Sequence, residues 1–365
     1  MTLYIGLMSG TSMDGIDVAL VDLPSNKLVS GIIKKYSAEV QQKIQQVSEG
    51  KDFSLAEICQ LNTLIGREFA GAVFQLLEEA KIPAEQIQAI GSHGQTVCHD
   101  AYATIPYTLQ LGCGHTIATL TNITVVADFR TRDLVNGGQG APFAPIYHQQ
   151  LFAKPDQQVA VVNIGGIANI TVLDPNAKIL GWDLGPGNCL MDAWIKKQLG
   201  KSYDEAGEWA KKGKVIEPLL RDLLSDPFVC LEPPKSIGKE YYSLAWLANY
   251  LIPDYQAVDV QATLLAFTAH CIANSILSLQ LSTMKQLYLC GGGSHNRHLI
   301  TTLSHLLPEV TVLSTESIDI NPDYLEAMMF AWLASQTINQ KPIALSSITG
   351  SKSPQILGAI YQKTV

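Results

Sequence analysis

The sequence predicts an α/β fold, and three observations support this class. Residues 3–23, LYIGLMSGTSMDGIDVALVDL, form a β-like run, a polar turn with an Asp-Gly pair and a second β-like run, which is typical of a hairpin. The same pattern recurs in residues 158–174, QVAVVNIGGIANITVLD. Long helical patterns occur in both halves of the chain. We therefore expect two lobes with related cores that mix strands and helices.

Two long helices and a later strand complete the expected elements. Residues 55–80 carry apolar side chains on one face of a helix, and residues 259–280 are predicted to be helical as well. Residues 286–290 predict a strand that runs into three glycines, followed by a helix cap at Ser294 or Asn296 and a further helix.

One loop marks the expected boundary between the lobes. NGGQGAPFAP, residues 136–145, is rich in glycine and proline and indicates a hinge or a boundary. We expect residues 1–130 and 345–365 to form the first lobe and residues 131–344 the second. The final segment SPQILGAIYQKT is interpreted as a helix that returns to the first lobe.

Composition and charge exclude several classes of function. With 365 residues, 47% hydrophobic and 16% charged, the chain has the composition of a globular protein. A formal net charge of −8 makes nucleic acid an unexpected partner. The seven cysteines form no CxxC pair, which indicates reduced thiols, and neither a basic leader nor an apolar stretch long enough to cross a bilayer is expected. The prediction is a cytoplasmic protein without membrane contact.

The first motif, GTSMDG at residues 10–15, combines the groups that a nucleoside triphosphate needs. Its glycines allow backbone N–H groups to approach phosphate, Thr11 and Ser12 bring hydroxyl groups, and Asp14 can hold Mg²⁺ directly or through water. It is not a Walker A loop, because no Gly-Lys-Ser/Thr follows. An ordinary hairpin turn explains the hexapeptide equally well.

Two further glycine clusters offer backbone to a ligand. Gly165-Gly166, followed by Asn169, suits the other side of a polyphosphate, although a bulge or tight turn explains the pair by itself. The glycine triplet 291–293 stands between a strand and a helix. Without Cβ atoms it can lie against a planar or sugar group, and close helix–strand packing is the alternative.

Asp183, in the motif GWDLGPGN, is the candidate general base. It is expected to end a short β-run before a turn of glycine and proline, so that its carboxylate points from a rigid strand end into a cleft. A carboxylate that only caps a helix or turn is the alternative.

The motifs GSHGQTVCH and ADFRTRD place His93, Gln95, Asp128, Arg130 and Asp133 on short loops. Such residues suit a polar ligand with hydroxyls and a carboxylate, which Arg130 can bind through two parallel hydrogen bonds. Each residue by itself is also compatible with a surface loop or a buried polar pair. Glu326 lies early in an otherwise apolar helix, where it is either exposed, the more common case, or lines a pocket.

In their order and spacing, these motifs together with GGQGAP and LCGGGSHN resemble the anhydro-N-acetylmuramic acid kinase family over most of the chain. The resemblance implies the actin/Hsp70/hexokinase-like fold, in which two lobes with ribonuclease-H-like cores close over ATP and substrate. It also implies ATP and Mg²⁺ as cofactors, a small amino-sugar substrate and a homodimer.

The resemblance also implies a role for each motif residue. Asp183 is then the catalytic base and Asp14 the Mg²⁺ ligand. The sugar and its lactyl carboxylate are then bound by His93, Gln95, Asp128, Arg130 and Glu326. The residues then expected to bind ATP are Gly10, Thr11, Ser12, Met13, Asp14, Gly15, Ile16, Asp17, Gly165, Gly166, Asn169, Gly291, Gly292 and Gly293.

The implied reaction uses ATP and water to open the 1,6-anhydro bridge and to phosphorylate O6, which gives N-acetylmuramic acid 6-phosphate. Asp183 then activates water for attack at the anomeric carbon. Two alternatives stay open: a conventional amino-sugar kinase, in which Asp183 deprotonates a substrate hydroxyl, and a non-catalytic nucleotide-dependent sugar sensor. The presence of Asp183 and of both phosphate loops argues against the sensor.

Overall fold

A computed structural model describes residues 1–10, 15–233, 235–238, 241–279 and 284–364. The chain divides into two compact units. Unit 1 comprises Met1–Tyr147 and Tyr324–Val365, and unit 2 comprises His148–Asp323.

The strands are β1 (Leu3–Ser9), β2 (Ile16–Asp22), β3 (Lys27–Lys34), β4 (Ile87–Asp100), β5 (Tyr107–Leu111), β6 (Val125–Ala127), β7 (Val159–Ile164), β8 (Ile167–Leu173), β9 (Leu180–Pro186), β10 (Gln286–Cys290), β11 (Thr311–Ser314) and β12 (Ala359–Tyr361). The helices are α1 (Ala38–Ser48), α2 (Leu55–Ala80), α3 (Gly114–Thr121), α4 (Phe129–Val135), α5 (Ala144–Phe152), α6 (Cys189–Leu199), α7 (Glu217–Leu224), α8 (Leu244–Ala248), α9 (Ala257–Ser278), α10 (Arg297–Leu306) and α11 (Leu325–Ile338).

The sheet of unit 1 contains the predicted first hairpin. β1 and β2 are antiparallel, with Leu3 opposite Asp22 and Met8 opposite Asp17. The sheet has the order β12-β6-β4-β1-β2-β3, and β5 pairs with β4. β4 is parallel to both β1 and β6, whereas β2 and β3 are antiparallel.

Helix α2 is the predicted helix of the first half and has the predicted bounds. A capping box between Ser54 and Glu57 begins it, because each residue accepts a hydrogen bond from the backbone N–H of the other. Leu61, Phe69 and Val73 on its apolar face are fully buried in the core of unit 1. The helix lies between β3 and β4 in the chain and supplies the length that a parallel return beside β1 requires.

Helix α11 packs against β1 and β4 at very short range. A Cβ atom on Gly6 of β1 would lie 1.7 Å from the carbonyl oxygen of Ala327, and one on Gly91 of β4 would lie 1.9 Å from that of Phe330. Gly6 and Gly91 are direct register partners. Glycine at both positions is therefore required for this late helix to lie on the sheet formed by the start of the chain.

The sheet of unit 2 has the order β11-β10-β7-β8-β9. β7, β8 and β9 are successive antiparallel neighbours and include the predicted second hairpin, while β10 is parallel to both β7 and β11. The central strands of unit 1, β6-β4-β1-β2-β3, have the same order and directions. This repeat confirms the expected α/β class with two ribonuclease-H-like cores.

Helix α9 contains residues 259–278 of the helix predicted for the second half, and it lies in the core of unit 2. Residue 280, the predicted end, lies outside the described residues. By length and composition α9 is apolar enough to cross a membrane, so the expectation that the chain has no such stretch is wrong. In the fold, however, 78% of its apolar window is buried. The helix packs against α6, α7, α10 and β9, and a helix enclosed in this way is apolar on all its faces.

The end of the chain is a strand and not the expected helix. β12 pairs antiparallel with β6, with Ala359 opposite Ala127. The division between the units also differs from the expected boundaries, since it falls inside α5 and again at Tyr324. Helix α4 contacts β5, and α11 contacts β1 and β4, so both helices belong to unit 1.

Candidate active site

Two buried side chains of unit 1 hold both ends of the first turn. Ser9 Oγ lies 3.0 Å from the carbonyl oxygen of Gly15 and 2.7 Å from Gln95 Oε1. Gln95 Nε2 donates to the carbonyl oxygen of Gly10 at 3.3 Å. Ser9 and Gln95 are each 1% exposed. The two hydrogen bonds of Ser9 are therefore shielded from water, and the three bonds together fix the backbone on either side of the turn.

Outside the described residues lie four of the predicted ATP ligands, Thr11, Ser12, Met13 and Asp14. Of the next three predicted ligands, Gly15 directly precedes β2, and Ile16 and Asp17 lie on it. Ile16 has its side chain fully buried in the core and can offer a ligand only its backbone. Asp17 is partly buried opposite Met8.

His93 and Gln95 lie on strand β4 and not on a short loop, as expected from the sequence. The glycines around them, which suggested a loop, have structural causes. Gly91 gives room to α11, and Gly94 has a φ of +78°, which glycine adopts without steric cost. The sequence therefore indicated the polar residues correctly but not the strand that carries them.

A buried hydrogen-bonded pair joins His93 to Arg130 of helix α4. Nε2 of His93 accepts from Nε and Nη2 of Arg130 at 3.0 and 2.9 Å, while Nη1 donates to the carbonyl oxygen of Gly140 at 2.7 Å. Burial and the neighbouring guanidinium hold the pKa of His93 well below its usual range, so the ring is neutral with its proton on Nδ1. Burial lowers the pKa of Arg130 to about 10, which leaves it charged at neutral pH.

Glu326 is partly buried on α11, so its expected exposure is wrong. Burial raises the pKa of its carboxyl, and the positive charge of Arg130 opposes this rise. Asp128, in contrast, is exposed at the start of α4 with a φ of 57°, and it lines a surface pocket together with Arg132. The structure thus gathers His93, Arg130 and Glu326 and places Asp128 on the surface.

Asp133, in the same motif as Arg130, forms buried hydrogen bonds, which matches the buried polar pair that the sequence left open as an alternative. Its carboxylate is fully buried and accepts from the N–H of Gly140 at 2.7 Å and from Thr349 Oγ1 at 2.9 Å. Asp133 therefore holds the loop whose carbonyl group binds Arg130. The available signal is an aspartate shortly before a glycine-rich loop, where such side chains often bind backbone N–H groups.

Three polar residues form a row across the antiparallel strands of unit 2. Asn163 of β7 is opposite Asn169 of β8, and Asn169 is opposite Asp183 of β9. Directly opposite residues share one face of a sheet, with Cα atoms about 5 Å apart. All three are partly buried. The strand register thus places the predicted ATP ligand Asn169 beside the predicted base.

The glycine pair Gly165-Gly166 of the second hairpin has room for larger residues. Added Cβ atoms would lie 3.6 Å and 3.8 Å from their nearest neighbours, which is ordinary contact, and neither glycine has the left-handed backbone conformation. Their carbonyl groups accept from the N–H groups of Asn188 and Gly187 at 2.8 Å each. Because neither packing nor conformation requires glycine, the close approach of a ligand is favoured over the tight-turn explanation.

In the glycine triplet after β10, unlike in the pair Gly165-Gly166, two members have no room for a Cβ atom. A Cβ on Gly291, whose φ is +73°, would lie 2.3 Å from Asn163 Oδ1, and one on Gly293 would lie 2.3 Å from Ile164 Cγ2. These two glycines are therefore explained by packing against the end of β7. Gly292 is exposed, and its nearest neighbour would be 3.8 Å away. It is the member of the triplet that can approach a ligand.

Asp183 lies in the middle of β9 and not at its end as expected. The strand continues because the residues after Leu184 still pair with β8. Oδ2 of Asp183 accepts from Ser236 Oγ and from the N–H of Ile237, both at 2.9 Å. Burial raises the pKa of this carboxyl, and the two hydrogen bonds oppose the rise. No motif in the sequence indicated that the 235–237 segment contacts this residue.

The two repeated α/β cores define the class of the protein by its fold, which is that of the actin/Hsp70/hexokinase-like kinases.

Comparison with known proteins gives the family. The family model for anhydro-N-acetylmuramic acid kinase matches residues 2–363. The anhydro-N-acetylmuramic acid kinase of Legionella pneumophila (strain Corby) is 65% identical over 361 residues, which cover 99% of this chain and 98% of that protein. That of Coxiella burnetii (strain Dugway 5J108-111) is 46% identical over 361 residues, with 98% and 97% covered. The chain belongs to the anhydro-N-acetylmuramic acid kinase family.

Among solved structures, the activator of the 2-hydroxyisocaproyl-CoA dehydratase from Clostridium difficile with bound ADPNP is similar, with 11% sequence identity and a TM-score of 0.48. The similarity covers 93% of this chain and 97% of that one.

Proposed function

We propose that this chain converts 1,6-anhydro-N-acetylmuramic acid, ATP and water to N-acetylmuramic acid 6-phosphate and ADP in peptidoglycan recycling. The observation that carries this function is the family match over residues 2–363. The geometry around Asp183 supports the hydrolytic half of the reaction, because a positioned carboxylate with a raised pKa is suited to accept a proton from water.

Asp183 acts as the general base in this proposal. Water attacks the anomeric carbon, and Asp183 takes one of its protons while the other stays on the new hydroxyl group. The bond from the anomeric carbon to O6 breaks, and O6 attacks the γ-phosphorus of ATP. The bond from that phosphorus to the bridging oxygen breaks, and ADP leaves. Asp183 then releases its proton to solvent.

The glycine hairpins bind the nucleotide. Gly10 to Asp17 form the first phosphate loop. Ser9 and Gln95 support this loop through hydrogen bonds to the carbonyl groups of Gly15 and Gly10. The hairpin 165–166, with Asn169, forms the second phosphate loop, for which the open space at both glycines is the support. The triplet 291–293 contacts adenosine through the exposed Gly292.

Asp14 holds Mg²⁺ directly or through water. The described parts of the chain contain no cluster of three His, Cys, Asp or Glu side chains that could hold a metal ion. Mg²⁺ that is bound mainly by phosphate oxygens and water needs only one or two carboxylates from the protein, and Asp14 would supply one. When bound, the ion neutralises charge that develops on the transferred phosphoryl group.

Arg130 and Glu326 face the sugar. The guanidinium uses three of its N–H groups on His93 and Gly140, and two of the five are left for Glu326 and the lactyl carboxylate. His93 supports the sugar site indirectly, because its Nε2 accepts hydrogen bonds from Arg130 and so orients the guanidinium. The exposed position of Asp128 offers less support for a sugar contact.

The protein is further proposed to be a cytoplasmic homodimer. All seven cysteines are free thiols, in keeping with a reducing compartment. The dimer is supported by the family resemblance. Light scattering after gel filtration tests it, and the mass of one chain would contradict it.

Mass spectrometry of the product formed in ¹⁸O-labelled water tests the reaction. The expected product carries one phosphate on O6 and one ¹⁸O on the anomeric carbon. Unlabelled N-acetylmuramic acid 6-phosphate, kept in the same water for the same time, corrects for exchange of the anomeric oxygen. A phosphorylated sugar with an intact bridge would identify a conventional kinase, and no sugar product would point to a binding role.

A further inference from the structure

The 235–237 segment, between α7 and α8 in the chain, contacts Asp183 at three points. Ser236 Oγ and the N–H of Ile237 donate to Oδ2 of Asp183, each at 2.9 Å. The N–H of Asp183 donates to the carbonyl oxygen of Lys235 at 3.0 Å. Within the described ranges, both hydrogen bonds to the carboxylate go to Oδ2. The segment therefore fixes the backbone and one carboxylate oxygen together.

Lys235 ties the 235–237 segment to the residues that follow α7. Its Nζ donates to the carbonyl oxygens of Phe228 at 3.1 Å and Val229 at 2.8 Å. The ammonium also lies 5.0 Å from the centre of the Phe228 ring. The charge thus serves to hold two backbone carbonyl groups in place beside an aromatic ring.

Asp226 joins the two ends of the same connection. It is 1% exposed and accepts from the N–H of Phe228 at 3.0 Å, from Tyr241 Oη at 2.9 Å and from Tyr242 Oη at 3.2 Å. The Tyr242 ring packs edge-on against Trp246 of α8, with 5.0 Å between ring centres. The connection is therefore anchored in the core of unit 2 at both ends.

We propose that Ser236 is a positioning residue for the reaction, which together with the Ile237 N–H orients Asp183, and that Lys235 and Asp226 hold the segment that presents them. The inference rests on the proposed role of Asp183 as the base. Two donors on Oδ2 fix the plane of the carboxylate and direct the incoming proton to Oδ1. They also favour the ionised form, which burial disfavours.

The described charged and titratable side chains near Asp183 do not take the place of Ser236 and the Ile237 N–H as donors to its carboxylate. Lys235 turns its ammonium to backbone carbonyl groups, and Asp226 is occupied by the N–H and hydroxyl donors of the connection. Cys271 of α9 is fully buried, and burial raises the pKa of its thiol, which stays neutral. Asn169, opposite Asp183 on β8, carries no charge.

The test compares Ser236→Ala with Ser236→Thr, which keeps the hydroxyl group. Ser225→Ala is the matched control, since Ser225 is exposed in the same unit and its Oγ donates to the carbonyl oxygen of Arg221. Single-turnover rates with ATP and the anhydro sugar are measured from pH 5 to 8, with KM for both substrates.

For Ser236→Ala we expect the acidic midpoint of the rate to rise by about 0.5 to 1 pH unit, because the ionised base loses a donor. Below that midpoint the rate falls about 3- to 10-fold, while KM stays within about twofold. Ser236→Thr and Ser225→Ala keep the wild-type profile. An unchanged midpoint in Ser236→Ala, with or without a uniform loss of rate, overturns the inference.

Asp183→Asn in the same assay separates this inference from the proposed function. If that variant turns over, the assignment of the base fails, and the positioning inference fails with it. If it is inactive while Ser236→Ala keeps the wild-type midpoint, only the positioning inference fails.

Lys235→Met, checked for folding by circular dichroism, is expected to raise the acidic midpoint of the rate, as Ser236→Ala does.

Discussion

Two opposed effects act on the carboxyl group of Asp183. Burial raises its pKa, and hydrogen bonds from Ile237 and Ser236 oppose the rise. A base for water needs both effects, because it must be ionised before the reaction and basic enough to accept a proton during it. At His93, in contrast, burial and the charge of Arg130 both lower the pKa. The ring therefore stays neutral and accepts hydrogen bonds from the guanidinium.

Asp183→Asn is expected to lower the single-turnover rate about 10²- to 10⁴-fold, since the amide keeps the shape of the side chain but cannot take a proton. The dissociation constants for ATP and sugar, measured by calorimetry, should stay within about threefold. Asp222→Asn, on the exposed face of α7, serves as the control and should retain full activity. Turnover by Asp183→Asn would show that another group is the base.

Each unit presents glycines at its first hairpin or beside it, but not all of them serve the same purpose. Gly291 and Gly293 are required by their packing against the end of β7, whereas Gly165 and Gly166 have open space around them. At the first hairpin, Ser9 and Gln95 hold the backbone at Gly10 and Gly15 through hydrogen bonds. The elements proposed to bind the nucleotide are thus supported by packing and hydrogen bonds from neighbouring residues.

Gly291→Ala is expected to lower stability, whereas Gly165→Ala is expected to weaken the use of ATP. Gly291→Ala should lower the free energy of unfolding by about 2 to 4 kcal/mol, since it adds a Cβ contact of 2.3 Å to a left-handed φ. Gly165→Ala should change this free energy by less than about 0.5 kcal/mol but raise KM for ATP about 10-fold. Urea unfolding followed by tryptophan fluorescence gives the first quantity. Similar effects of the two substitutions on stability would contradict the distinction.

Gln95→Leu tests the support of the first turn. It leaves the carbonyl oxygen of Gly10 without its buried donor, so we expect a loss of about 1 to 3 kcal/mol in the free energy of unfolding. KM for ATP should rise about 10-fold, while sugar binding measured without nucleotide stays within about threefold. Gln75→Leu, at an exposed position on α2, is the control. A selective loss of sugar binding would instead make Gln95 a direct sugar contact.

At the scale of the whole molecule, buried neutral histidines make stability depend on pH. His148 is 2% exposed, its Nδ1 lies 2.8 Å from Thr171 Oγ1, and burial lowers its pKa to about 3. In the unfolded chain a histidine has a pKa of about 6.5. The unfolded state therefore binds a proton below that pH while the folded state does not, and stability falls as the pH decreases from about 6.5 towards 3.

His148→Gln should weaken this dependence. Between pH 7 and pH 5 the wild-type residue is expected to cost about 2 kcal/mol of unfolding free energy, and the variant should lose less by about that amount. Tryptophan fluorescence during urea unfolding is a suitable probe, because Trp182, Trp194, Trp209 and Trp246 all lie in unit 2. The exposed His305→Gln should keep the wild-type slope. Equal slopes for both variants would show that His148 is protonated in the folded state.

The sequence by itself determined both hairpins, helices α2 and α9, strand β10 and membership of the family. These features rest on neighbours in the chain: turn residues between β-like runs, apolar side chains with helical spacing, and caps such as Asn296, whose side chain accepts from the N–H of Leu299. The candidate base Asp183 was also found from a local motif. Local signals suffice where the interaction that forms the element spans only a few residues.

Only the tertiary structure decided which of these residues meet. The final segment forms strand β12 because β6 offers an edge, and α11 joins the first sheet because Gly6 and Gly91 make room for it. Glu326 lies beside Arg130, and Ser236 beside Asp183, over separations of 196 and 53 residues. Such contacts depend on burial and strand register, which no short stretch of sequence encodes, and they set the charge and orientation of the side chains in the candidate site.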